Sequence, residues 1–391
     1  MSKIPRLDVV DALRGFAVMA ILIIHSVEHF IYPVYPDTMI QAEWLNALDS
    51  VVFNVVFSFI AGKGYSIFAL LFGFTFYVQF TNQQNKGVDF GWRFIWRLML
   101  LAVFATINAA FFPGGDVLLL FVFTGLSLVV VRHMSNKVVL IIAVICLLQP
   151  VELFHFVSSL FNASYTLPNF GVGKLYTIVQ EGVKSGNWSL FLIENITTGQ
   201  KASLLWAVSA GRFVQTIGLF LLGLLLGRNH LFVYSEKNNR FWVKLLIISA
   251  LLFGILYSLK VEWYDNAPSK ILKGSIGTAL DMWQKLAFTF VIVSSFVIAY
   301  YNSTLEKWTK NIRIYGKMSL TNYITQSIIG ALIFFPIGLN LAPYLGYTAS
   351  LIVGFIAIAL QLYFCNAWYK KYQQGPLEYL WHKATWIGKK K

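Results

Sequence analysis

The sequence predicts an all-α, polytopic membrane protein of about ten transmembrane helices, and three observations predict it. First, 57% of the 391 residues are hydrophobic and only 12% are charged, about half the roughly 25% typical of soluble domains. A chain this long cannot cover soluble domains with so little polar surface, so much of its exterior faces lipid. Second, apolar stretches recur from end to end, many of them near the roughly 20 residues needed to cross about 30 Å of hydrocarbon. Third, the basic residues alternate in density between successive connecting segments.

The candidate spans lie near 12–31, 52–80, 94–112, 116–132, 138–157, 205–227, 242–259, 278–301, 318–338 and 347–369. The second is too long for one straight crossing. Gly62-Lys63-Gly64 is expected to break it, because glycine weakens a helix interior. The first 31 residues have the basic start and apolar run of a signal peptide. No small-residue cleavage site follows Ile31, and Asp11 and Arg14 interrupt the start, so a retained first helix is expected.

Orientation follows from lysine and arginine. With the N-terminus in the cytoplasm, cytoplasmic segments hold Lys3, Arg6 and Arg14, then Lys86, Arg93 and Arg97, and so on to Lys370, Lys371, Lys383, Lys389, Lys390 and Lys391. External loops hold Lys174, Lys184, Lys201, Lys260, Lys270 and Lys273, while Lys63, Arg212 and Lys285 fall inside spans. This bias puts both termini in the cytoplasm. It also accounts for the net charge of +14 without a nucleic-acid partner; the partner is the bilayer. The chain reads as one membrane domain, 1–391, with an external loop over 158–204 and a cytoplasmic tail over 370–391. Apolar positions Leu175, Ile178, Val179 and Val183 predict a short interfacial helix in that loop. The two cysteines, Cys146 and Cys365, sit in apolar runs, which implies neither a disulfide framework nor a zinc site.

Ionisable groups within a membrane are costly and mark function by default. The first span carries Asp11, Arg14, His25, Glu28 and His29. Arg14 and His25 are eleven positions apart, about three turns plus 20°, so they share a stripe some 16 Å long. Asp11 can pair with Arg14 at i,i+3. Imidazole suits a general base, and guanidinium suits phosphate or carboxylate. The plain alternative is that Arg14 snorkels to headgroups and His25 hydrogen-bonds a neighbouring helix. His25-Ser26-Val27-Glu28-His29 also fits the H-x-x-E-H zinc pattern, but no third ligand is identifiable and no metal is expected. Further groove candidates are Lys63, Asn322 and Gln326, the last two at i,i+4, although such amides commonly serve as helix-packing contacts. Arg212 reads as an interfacial anchor.

Several stretches together resemble the YeiB-like family of bacterial membrane proteins. They are Leu7-Asp8 with Asp11–Ala17, Gly62–Phe74, Gly218–Gly223, the segment 316–327, and Gly375-Pro376-Leu377-Glu378. The first span is also similar to a broader superfamily of transmembrane acyltransferases, in which an Arg or Lys precedes an acyl-transfer histidine with ten residues between. Arg14 and His25 match that spacing. YeiB-like proteins typically carry Asn where this chain has His25, and the departure points toward the catalytic branch. The resemblance implies a bacterial inner-membrane acyltransferase. Acyl-CoA, in the simplest case acetyl-CoA, would donate from the cytoplasm to a hydroxyl or amine acceptor of the cell envelope. His25 would be the catalytic base or nucleophile, and Arg14 and Asp11 would shape the donor end. A transporter or flippase of a small metabolite or lipid-linked molecule is the alternative. A homodimer is a candidate assembly.

Overall fold

Apolar runs separated by short polar punctuation fold into a bundle whose described residues form helices and no strands. The computed structural model describes residues 4–114, 117–162 and 164–388. Lys3, Lys389, Lys390 and Lys391, counted above among the cytoplasmic cations, lie outside the described residues.

The first span becomes α1, Asp8–Val27. The long second run becomes α2, Glu43–Phe59, and α3, Lys63–Gln84, separated at Gly62, whose φ of 77° lies in the left-handed region that favours glycine. Then come α4, Gly91–Ala109, and α5, Leu118–Val131. The fifth run is bent by 51° between α6, Asn136–Leu147, and α7, Pro150–Phe161. Proline at the first helical position, after left-handed Gln149, explains that bend, since proline cannot continue α6. The stretch expected as an external loop carries α8, Val172–Lys184, and α9, Trp188–Glu194, then a π-helical turn into α10, Gln200–Ser209. The run Trp188–Ser209 meets α11, Arg212–Arg228, at a 77° bend centred on left-handed Gly211.

Two long helices follow: α12, Glu236–Asn266, and α13, Lys270–Asn302. Each starts at a serine cap. Ser235 accepts from Asn238 N–H at 3.1 Å, and Ser269 accepts from Leu272 N–H at 3.2 Å. The chain continues through α14, Leu305–Trp308, α15, Lys310–Lys317, α16, Ser319–Phe334, and α17, Tyr347–Tyr372, to α18, Pro376–Thr385.

Six helical stretches are long and apolar enough to cross a membrane, or up to eight if each bent pair is one span. By length and composition, six to eight spans are therefore supported, and the expected ten are not confirmed. Two expected spans fall short for visible reasons: α5 has 14 residues, and α16 has 16 before its end at Phe334. The exterior supports lipid contact. On α12, Ile248, Leu251, Leu252 and Ile255 are all exposed, an apolar face that water would not tolerate but hydrocarbon accepts. The molecule is a multi-pass membrane protein.

Aromatic rings fill the centre. Phe72 stacks on Phe220 at 4.8 Å and meets Phe121 edge-on at 5.5 Å, while Phe68 lies over Phe121 and Tyr323. This layer spans the bundle between the two ends of α1. The N-terminal segment and α18 lie at the same end: Ile4 N–H donates to Asn82 Oδ1 at 2.7 Å, and Trp381 Nε1 donates to the Arg97 carbonyl at 3.1 Å.

Candidate functional site

At that end the helices enclose a cavity of about 840 Å³. Its deeper wall is apolar: Phe68, Phe72, Phe94, Leu101, Phe121 and Leu320. Nearer the terminal segments the lining turns polar, with Arg6, Asp11, Arg14, Arg97, Lys317 and Glu378. Four cations thus face two carboxylates around one opening.

Asp11 organises the first wall. It is 2% exposed and accepts from Arg6 Nε at 2.5 Å and from Arg14 at 3.0 Å. The second hand of the Arg14 guanidinium donates to Thr75 Oγ1 at 2.9 Å. The i,i+3 pairing expected from sequence is present, but Arg6 as third member was missed. Burial makes such a network demanding, because each charge must find a partner once water is gone.

The opposite wall comes from α18. Glu378 accepts from the Leu320 and Thr321 amides at 2.6 and 3.1 Å and from the Thr321 hydroxyl at 2.6 Å. It caps the start of α16 from a different helix, satisfying amides that have no partner within α16. Burial pushes the Glu378 carboxyl above its ordinary value, while the bonds from Thr321 and Leu320 pull the other way. Nearby His382 is pushed down, first by burial and then by Arg97. Arg97 stacks on Trp381 at 3.7 Å and reaches Thr385 Oγ1 at 3.3 Å. It has no carboxylate partner among the described residues. Lys317, lying 5.3 Å over the Tyr369 ring, has none either. The cavity therefore presents unneutralised cations before an aromatic depth, which suits an amphiphile with an anionic head.

Residues 226–388 match DUF418. That family's description is "Protein of unknown function (DUF418)". DUF418 is YeiB-like, and two stretches that carried the resemblance, residues 316–327 and Gly375–Glu378, fall inside the match. The matched stretch supplies Lys317, Glu378, Trp381 and His382 to the cavity, and the segment before it supplies Arg6, Asp11, Arg14 and Arg97. Along its whole length the chain is similar to "Uncharacterized protein YxaH" of Bacillus subtilis, at 27% identity over 98% of this chain and 94% of that one. It is also similar to an "Uncharacterized 39.9 kDa protein in amylase 3'region" of Bacillus acidopullulyticus, at 24% identity over 97% and 94%. No solved structure matches.

The other expected site residues lie elsewhere. His25 does not line the cavity. Its ring packs 4.6 Å from Phe112 and 5.9 Å from Phe30, its Nδ1 is buried without a hydrogen bond, and it sits within electrostatic range of Arg212. The stripe shared with Arg14 exists on α1, but the aromatic layer divides its two ends. Glu28, half-buried, belongs with His25 and also feels Arg212 and Lys285.

His29 is a packing residue. Its Nδ1 lies 2.8 Å from the Val34 carbonyl, so it donates there, and its Nε2 accepts from Ser350 Oγ at 2.7 Å. Both nitrogens are committed. The helix ends at Val27, and His29 has a φ of 47°, so His25 and His29 lack the helical i,i+4 geometry that the zinc pattern needs. Lys63 is 3% exposed and donates to the Ser58 carbonyl at 2.7 Å. Asn322 bridges helices, donating to the Tyr315 carbonyl at 3.0 Å and accepting from Cys365 Sγ at 3.2 Å. Gln326 is fully buried, with both amide atoms unpartnered. Arg212, expected as an interfacial anchor, is half-buried, with its guanidinium over the rings of Trp206, at 4.4 Å, and Tyr65, at 5.2 Å.

Of the cavity residues missed by sequence reasoning, Arg97 left the clearest signal. Although grouped with the cytoplasmic cations, it falls three positions inside the expected span 94–112, and a cation so placed is a candidate for more than orientation.

Proposed function

We propose that the protein is an acyltransferase of the bacterial inner membrane that takes an acyl group, acetyl in the simplest case, from cytoplasmic acyl-CoA to a hydroxyl or amine of a cell-envelope acceptor. The observation that carries this reading is the cavity, cationic where it opens and aromatic at depth. With both termini in the cytoplasm, as the basic loops favour, it faces the compartment that holds acyl-CoA. Arg14, Arg97 and Lys317 would hold the nucleotide phosphates, and the pantetheine arm would lie against Phe72, Phe94 and Phe121. Transfer breaks the thioester C–S bond and forms a C–O or C–N bond. His25 would take the acceptor's proton from the far side of the aromatic layer, and the coenzyme A thiolate would leave toward the cavity mouth. This route requires Phe68 and its neighbours to move aside.

Labelled acetyl-CoA tests the reading directly. The purified wild-type protein is expected to bind it saturably and release free coenzyme A. Replacing Arg97 with Gln should weaken binding about tenfold, the loss of one charge-assisted contact. His25→Ala should keep binding and abolish transfer. A folded wild-type protein that neither binds nor cleaves acetyl-CoA ends this reading.

One observation favours a second reading, transport or lipid flipping: His25 is absent from the cavity lining. An amphiphile carried past the aromatic layer needs no base at mid-depth. Acetyl-CoA binding without any thioester cleavage or acyl transfer would select it.

A further inference from the structure

Two helices of the bundle begin at left-handed glycines and begin together. Neither α3, after Gly62 with φ 77°, nor α11, after Gly211 with φ 67°, has a side-chain cap. They run side by side in the same direction. The Tyr65 hydroxyl meets Thr216 Oγ1 near their starts, Phe72 stacks on Phe220 farther along, and Gly227 lies against the Tyr77 ring near their ends. Their N-termini therefore converge. Each contributes unsatisfied amides and roughly half a positive charge.

Arg212 sits at this convergence. One of its terminal nitrogens lies 3.9 Å from the point a Cβ on Gly62 would occupy, and the Lys285 chain comes within 3.2 Å of the same point. Two aromatic faces hold the guanidinium, but it makes no hydrogen bond or ion pair among the described residues. Asp281, the nearby carboxylate that could neutralise cations here, is already shared by Lys260 and Lys285, each at 2.5 Å. Glu28 and His25 approach from α1. A separate feature marks the same spot. Gln149, 1% exposed at the α6–α7 bend, has both amide atoms unpartnered, and its Oε1 lies 2.7 Å from where a Cβ on Gly211 would stand.

Five N–H donors in a fixed fork, held off carboxylates and placed before two uncapped helix starts, form the complement of an oxyanion. Broken helices whose N-termini face a charged ligand recur in membrane proteins for this reason. We infer that the junction of α3 and α11 binds an oxyanion group, a phosphate or carboxylate, with Arg212 as its fork and Lys285 as a second cation. The site lies across the aromatic layer from the cavity and stands whichever chemistry that cavity performs. Its ligand is either a soluble anion or the headgroup of an anionic lipid.

Modification of Arg212 by phenylglyoxal, read residue by residue by mass spectrometry, reports on this site alone. The full chain is kept in a neutral maltoside detergent and titrated at constant ionic strength with inorganic phosphate or acetate, and separately with phosphatidylglycerol in mixed micelles. At least one of these is expected to slow labelling of Arg212 saturably, about fivefold or more. Protection by phosphate or acetate identifies a soluble source, and protection by phosphatidylglycerol alone identifies a lipid. Lys285→Gln, which leaves Asp281 with Lys260, should raise the half-protecting concentration about tenfold. Arg97→Gln, in the other site, should leave it unchanged. The inference is overturned if no anion protects Arg212 in folded protein, if Lys285→Gln changes nothing, or if native Arg212 does not react, since a site open to a ligand is open to the reagent.

Discussion

The two ends of α1 hold charge in opposite ways. At the Arg14 end, Asp11 gathers Arg6 and Arg14 from within eight residues of sequence, and the surplus cations line open space. At the His25 end, Arg212, Lys285, Glu28 and Gln149 come from four distant segments; the Arg212 guanidinium and the Glu28 carboxylate make no ion pair among the described residues, and both Gln149 amide atoms are buried without a partner. Local pairing makes the first end a stable frame around a cavity. The second end is a set of unsatisfied groups held in place by packing. Stability should therefore concentrate in the pairs at one end, and ligand response in the unpaired groups at the other.

The largest effect should come from breaking the frame. Asp11→Ala leaves Arg14, with its side chain 17% exposed, facing a low-dielectric wall without its carboxylate. It should cost about 3 kcal/mol, read as a lower unfolding temperature in detergent. A value near zero would erase the contrast between the two ends.

Glu378 sharpens it further. Glu378→Ala removes the acceptor of three bonds and should cost about 2 kcal/mol. Glu378→Gln keeps an oxygen for the two amides and should cost less than half of that. The pair also carries a pH signature. A carboxyl whose folded value is raised binds its proton more tightly in the folded state. The docking of α18 should then be strongest at low pH and weaken as pH rises from the ordinary glutamate value of 4.5 up to the raised folded value. Hydrogen exchange of the Leu320 and Thr321 amides against pH should show that slope in wild type and lose it in Glu378→Gln.

The smallest effect belongs to the other end. Gly211→Ala forces a Cβ into left-handed backbone and against Gln149, and should cost about 1 kcal/mol. It should also disturb Arg212 protection more than it disturbs acetyl-CoA binding. Equal loss at both sites would mean that the aromatic layer does not separate them.

Much of the fold can be read from the sequence because lipid imposes a simple rule: apolar runs become helices. The break at Gly62 and the pairing of Asp11 with Arg14 are equally local and equally visible. The number of spans is less so, since bends at Pro150 and Gly211 and the early end of α16 depend on neighbours. The site was harder. A shared stripe on α1 places Arg14 and His25 on one face, yet what that face meets changes with depth: Thr75 and open space at one level, Phe112 at another. Arg97 becomes a cavity residue only because Trp381, 284 positions later, folds back over it. No helical period carries that information.

That return of α18 has a consequence for biosynthesis. The wall formed by Glu378, Trp381 and His382 joins Arg14 and Arg97 only after translation has passed residue 382, so every nascent intermediate lacks a finished pocket. A premature stop after α16 but before Pro376 would leave the amides at the head of α16 bare and the basic chamber unroofed.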